Sequence, residues 1–118
     1  MRKIEREMIQ AIIDGRDWKK ANTEVITSPA YARVYLHDNC IAEYSYCKDC
    51  KLSINHCGWK TVTTKSRLNA LIKFVLGDLV GINQTGFEWY LNSTKLIQTN
   101  PDIWERKVTP IPDGWLLV

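Results

Sequence analysis

The sequence predicts an α+β fold: an N-terminal helix, an antiparallel β-meander with one amphipathic helix packed on its sheet, and further short strands toward the C-terminus. Three observations carry that expectation. Apolar residues fall at helical spacing in two separated places, near the start and over residues 65–76. Between them run short segments containing Thr, Val and Tyr, punctuated by turn residues rather than by the crossover helices of a parallel sheet. With 118 residues, 45% of them hydrophobic, the chain has room for one domain spanning 1–118 and an ordinary core, but not for two.

Each element follows from its residues. Over 2–14, Ile4, Met8, Ala11 and Ile12 form a helical stripe that Ile9 and Ile13 widen, and Gly15 supplies a natural stop. From 22 to 62, Ser28-Pro29, Asp38-Asn39 and Lys48-Asp49 separate the strands of a meander. Thr64 is the expected N-cap of a helix over 65–76, where Leu68, Leu71, Ile72, Val75 and Leu76 share a face and Gly77 closes the element. The rest, 79–118, reads as short strands at 79–83, 87–91 and 115–118 with an irregular, proline-containing stretch over 100–114.

Two-residue turns at Asp38-Asn39 and Lys48-Asp49 would set the pairing: Leu36 opposite Ile41, Tyr35 opposite Ala42, Leu52 opposite Ser45 and Tyr44 opposite Ser53. Alternation then gathers Val34, Leu36, Ile41, Leu52 and Ile54 beneath the second helix. Glu43 falls on that face too, which counts against the alignment. The other face would carry Arg33, Tyr35, Tyr44, Tyr46 and Lys51, a tyrosine-rich surface suited to a partner. Tyrosine supplies a large contact area at low entropic cost and suits protein interfaces at least as well as base stacking.

Other clusters are weaker. Cys47, Cys50, His56 and Cys57 resemble the paired ligands of a zinc site. His56 and Cys57 are adjacent, however, and would point to opposite faces of a strand. In the expected pairing Cys47 meets Cys50, while Cys40 meets Cys57 roughly 23 Å away at about 3.3 Å per residue. Cross-strand thiol pairs are therefore preferred to a metal, and no cofactor is expected. Lys60, Lys65 and Arg67 lie around a helix start rich in hydroxyls, where an anion or nucleic acid would find donors, although capping alone explains the threonines. No hydrolase elbow or zincin motif occurs, and His37 and His56 are the only histidines, so an enzyme is not expected. The five tryptophans are assigned mostly to the core.

Composition narrows the partner. The net charge of +3 is concentrated between residues 47 and 73, which hold six basic groups and one acidic group, a balance that disfavours an acidic mimic of a nucleic acid. No stretch approaches the roughly 20 apolar residues of a spanning helix, and the N-terminus lacks the pattern of a signal peptide. A cytoplasmic protein without a membrane role is expected.

Two runs point to a family. Val34-Tyr35-Leu36-His37-Asp38-Asn39-Cys40-Ile41-Ala42 and Gly58-Trp59-Lys60-Thr61-Val62-Thr63-Thr64-Lys65-Ser66-Arg67-Leu68-Asn69-Ala70-Leu71 resemble a group of small proteins encoded by tailed bacteriophages. The resemblance covers roughly 20–75 and brings no activity with it. What it implies is origin, since small phage proteins often bind and block host machinery. The expected function is therefore non-enzymatic binding: an inhibitor or modulator of a host protein or defence complex, anti-CRISPR-like in its sharpest form, acting in the host cytoplasm. The alternative is a small nucleic-acid-binding accessory protein that uses the basic, tyrosine-rich face.

Overall fold

A computed structural model describes residues 1–47, 51–97 and 100–118, with all of their side chains except those of 94–97 and 100–106. Among them are two helices, α1 (Lys3–Asp14) and α2 (Val62–Leu76). The strands are β1 (Trp18–Lys20), β2 (Thr23–Thr27), β3 (Tyr31–Leu36), β4 (Asn39–Ser45), β5 (Leu52–Ile54), β6 (Val80–Thr85), β7 (Glu88–Ile97), β8 (Asn100–Pro110) and β9 (Leu116–Leu117). They form a six-stranded antiparallel sheet, ordered β1-β2-β3-β4-β5-β9, and a three-stranded one, β6-β7-β8. This is the α+β architecture expected of the sequence.

The start of α1 is secured by the Arg2 amide, which donates to the Glu5 carboxylate at 3.2 Å. Met8, Ala11 and Ile12 are fully buried, whereas Ile13, expected in the stripe, faces solvent. Gly15 closes the helix at φ 63°, a left-handed geometry that a Cβ would strain. The chain then enters β1, one strand earlier than the sequence suggested.

The register of the large sheet differs from expectation by two positions next to the turn and by one position beyond it. Leu36 pairs with Asn39, so the turn is His37-Asp38 and not Asp38-Asn39; both turn residues have positive φ, 48° and 65°, as a type I′ hairpin requires. Tyr35 then pairs with Cys40, but Val34 pairs with Ala42, which leaves Ile41 as the surplus residue of a β-bulge. In the next hairpin Tyr44 faces Leu52 and Glu43 faces Ser53. The expected Lys48-Asp49 turn lies outside the described residues. Because side chains alternate, the slip carries Tyr44 inward and Glu43 outward. Val34, Leu36, Ile41, Leu52 and Ile54 are nonetheless all buried, Ile41 because the bulge turns it in beside Ala42.

The α2 helix begins one turn before the expected start. Thr61, not Thr64, is its N-cap, accepting from the Thr64 amide at 3.1 Å, and Gly77 ends it at φ 86°. The helix lies between the two sheets. Leu68, Leu71 and Ile72 are buried, each worth on the order of 1.5–3 kcal/mol, while Leu76 is exposed. On the side of the smaller sheet the Asn69 side chain behaves as a strand partner: its Oδ1 accepts from the Ile82 amide at 2.7 Å, and its Nδ2 donates to the Ile82 carbonyl at 3.3 Å. The expected irregular stretch over 100–114 is instead mostly β8, an edge strand with proline near either end, where a missing amide is tolerated. Tryptophan is less central than expected. Only Trp89 is fully buried; Trp18 is half-buried, Trp59 and Trp115 are exposed, and the side chain of Trp104 lies outside the described set.

A buried polar network joins α1, β2 and α2. Arg67, 4% exposed, donates to the Glu5 carboxylate at 2.8 Å and, through Nε, to the Thr23 hydroxyl at 3.1 Å. Ser66 adds a hydrogen bond to Glu5 at 2.6 Å. Burial pushes the Glu5 carboxyl up, but the hydrogen bonds from Ser66, Arg67 and the Arg2 amide outweigh it and hold the group below its usual range. Its ionised form therefore stabilises the fold above the unfolded carboxylate range of about 4, and that stability is lost as acid protonates it.

Three outcomes follow from these contacts. Arg67→Met should destabilise the protein by about 3–5 kcal/mol in chemical denaturation, because it strands the Glu5 charge, and the double change Glu5→Leu/Arg67→Met should recover most of that loss. Glu5→Gln should flatten the acid limb of the stability–pH profile. Asn69→Ala should cost about 1–3 kcal/mol and speed hydrogen exchange at the Ile82 amide.

Candidate functional site

Both helices pack on the same side of the six-stranded sheet, where α1 meets β1 and β2 and α2 meets β4 and β5. The opposite side carries the outward residues of each strand. Cross-strand pairing aligns Ile26, Arg33, Glu43, Ser53 and Leu117 in one row, with Tyr31, Tyr35 and Glu24 in neighbouring rows, and none of these is buried. Arg33 stacks over the Tyr31 ring, 4.4 Å from its centroid, and its Nε lies 3.3 Å from a Glu43 carboxylate oxygen. Hydrogen bonding to Glu43 raises the Arg33 pKa further above its usual value. The guanidinium thus meets an aromatic ring and a carboxylate.

The five residues expected to share this face divide. Arg33 and Tyr35 lie on it, and Lys51 joins them at its margin, opposite Ser45. Tyr44 and Tyr46 do not. The Tyr44 ring lies 5.6 Å from that of Phe74 on α2 and packs edge-on against Tyr46 at 5.5 Å. Tyr46 reaches across to α1 and donates its hydroxyl to the Ile12 carbonyl. The bulge at Ile41 is the reason, because it leaves the rest of β4 one position out of the expected pairing. Tyr31, Ile26 and Leu117 were missed, although Tyr31 was legible as the residue two before Arg33 on the same side of β3.

The basic trio expected around the start of α2 also divides. Lys60 is exposed and Lys65 reaches Gln84 at 3.4 Å, but Arg67 is sealed in the Glu5 network and touches no solvent-facing ligand. Beside this helix start is a cavity of about 490 Å³, framed by the end of the β3–β4 hairpin and the segment leading into α2. Leu36, Ile41 and Trp59 form its apolar walls, and His56 with the α2 threonines supplies its polar ones. His56 is buried beneath Trp89, their rings edge-on at 5.7 Å, and the Trp89 indole nitrogen has no hydrogen-bond partner among the described residues.

Cys40 and Cys57 are free thiols and Cys47 is exposed; Cys50 lies outside the described residues. Cys57 and Cys40 lie close, but not as the expected thiol pair of facing strand residues: Cys57 follows β5 in a turn and donates its thiol to the Cys40 carbonyl at 3.1 Å. Burial pushes both thiols above their usual pKa. Among the described residues, Cys47, His56 and Cys57 do not converge into a group of three or more metal-ligating side chains. No helix there is long and apolar enough to cross a membrane.

Compared with known protein families, residues 1–109 match the family described as Kyanoviridae Gp96 protein, and the chain belongs to that phage protein family. The match extends well beyond the two runs that suggested a phage origin. Neither the curated proteins nor the solved structures compared with the chain gave a match.

Thiol chemistry should follow burial. At neutral pH iodoacetamide should modify the exposed Cys47 before Cys40 or Cys57, read by mass spectrometry of digests over time; equal rates at all three would contradict the buried placement.

Proposed function

We propose that this phage protein is a non-enzymatic binding protein that inhibits or modulates a host protein complex, with anti-defence action of the anti-CRISPR kind as the specific form, in the host cytoplasm. The observation that carries this reading is the uncovered face of the six-stranded sheet, where Tyr31, Arg33 and Tyr35 stand in register beside Ile26 and Leu117. Aromatic rings and an arginine oriented in advance are what protein interfaces use as anchors, and a rigid sheet presents them with little ordering cost.

Charge separates this reading from the nucleic-acid alternative. Lys19, Arg33 and Lys51 share the face with Glu24 and Glu43, and Arg33 is already engaged by Glu43, so among the described residues no cationic track for a phosphate backbone forms there. The remaining cations of that alternative, Lys60 and Lys65, belong to the helix side of the sheet, and Arg67 is buried. A mixed, aromatic surface favours a protein partner.

The test is recovery of a partner from host lysate by the wild type and by a Tyr31→Ala/Tyr35→Ala double variant, with binding of the purified pair measured between about 50 and 200 mM salt. The expected result is a partner held by the wild type, weakened at least about tenfold by the double variant, and only mildly sensitive to salt. Equal recovery by both proteins sinks the surface, and a steep loss with salt would favour nucleic acid.

A further inference from the structure

The cavity beside α2 has features that the sheet face does not explain. At about 490 Å³ it falls within the range of small-molecule sites. One end is apolar: Leu36 and Ile41 line it, and Trp59, 61% exposed, forms a wall that a flat ring can stack on. The other end is the first turn of a 15-residue helix. There the Thr64 amide is satisfied by the Thr61 hydroxyl and the Lys65 amide by the Thr61 carbonyl, while the amides of Val62 and Thr63 have no acceptor among the described residues. No acidic side chain occupies that first turn or lines the cavity.

A second feature points to a ligand independently. His56 is 1% exposed and is part of the cavity wall. Its Nδ1 accepts from the Gly58 amide at 2.9 Å, which places the proton of the neutral ring on Nε2. That nitrogen makes no hydrogen bond among the described residues, and lies 3.4 Å from the exposed Asp113 carboxylate without the alignment for one. A buried donor left unsatisfied is costly, and a ligand acceptor would relieve it.

We propose that this cavity binds a mononucleotide-sized ligand, a flat ring carrying a phosphate, with the ring against Trp59 and the phosphate at the amide of Thr63, the residue of that unmet pair that lines the cavity. A lone inorganic anion would leave the apolar walls wet, and an uncharged ring would leave the Thr63 amide unmet.

The full-length protein is titrated with adenosine and uridine monophosphates, with adenosine alone and with inorganic phosphate, using calorimetry and amide NMR. Thr63→Asp is the decisive variant, because an acidic residue in the first turn favours the helix while repelling an anion, so its thermal stability should equal or exceed that of the wild type. The expected result is saturable binding of a monophosphate that shifts the Thr63 amide. Thr63→Asp should weaken it by about tenfold or more, and Trp59→Ala should weaken it as well. The proposal is overturned if neither monophosphate binds saturably, if Thr63→Asp binds as the wild type does, or if adenosine or free phosphate binds as tightly as the nucleotide.

Discussion

The buried ion pair of Glu5 and Arg67 is the constraint on which the arrangement of the molecule depends. Two opposite charges inside a protein are tolerable only when their remaining hydrogen-bonding capacity is met, and here Ser66, Thr23 and the Arg2 amide meet it. These partners come from α1, β2 and α2, so no one of the three elements can shift without stranding a charge. Both helices are thereby fixed on the same side of the large sheet. Among the described residues nothing covers the opposite side, and the candidate binding surface follows from that asymmetry.

The smaller sheet is attached by different means. Asn69 hydrogen-bonds to both the amide and the carbonyl of Ile82, and Trp89 brings an indole down onto His56. Sandwiched between two sheets, α2 cannot have one wet face along its length: Thr64, Arg67 and Ala70 are buried as well as Leu68, Leu71 and Ile72. Its polar residues do the joining that a surface helix would leave to apolar packing. The same placement puts the first turn of the helix at the rim of the cavity.

What could be read from the sequence was local, and what could not was relational. Helical spacing and closing glycines located α1 and α2 because those signals lie within a few residues of each other. Arg67 read as a surface cation because its partner Glu5 stands 62 residues away, beyond any pattern along the chain. The turn was misplaced because Asp-Asn is the more familiar turn pair, while His37 and Asp38 are the residues that take left-handed geometry. Glu43 held the warning: a carboxylate assigned to the core without a partner is better explained by a slipped strand. On the face itself, Arg33 and Tyr35 were legible and Tyr44 and Tyr46 were not, since the first pair precedes the turn and the second follows it. For β8, the prolines suggested an interruption where they mark the ends of an edge strand.

The surplus residue at Ile41 has a role beyond filling space. Near the turn, β3 and β4 are paired in one phase, and past the bulge they are paired in another, as rows of atoms are on the two sides of a dislocation. If Ile41 were drawn into regular pairing opposite Val34, every later residue of β4 would exchange sides, bringing Glu43 in and Tyr44 out. The identity of the outer surface is thus stored in one backbone defect as much as in the side chains that compose it, and any change that heals the defect rewrites that surface without altering a residue on it.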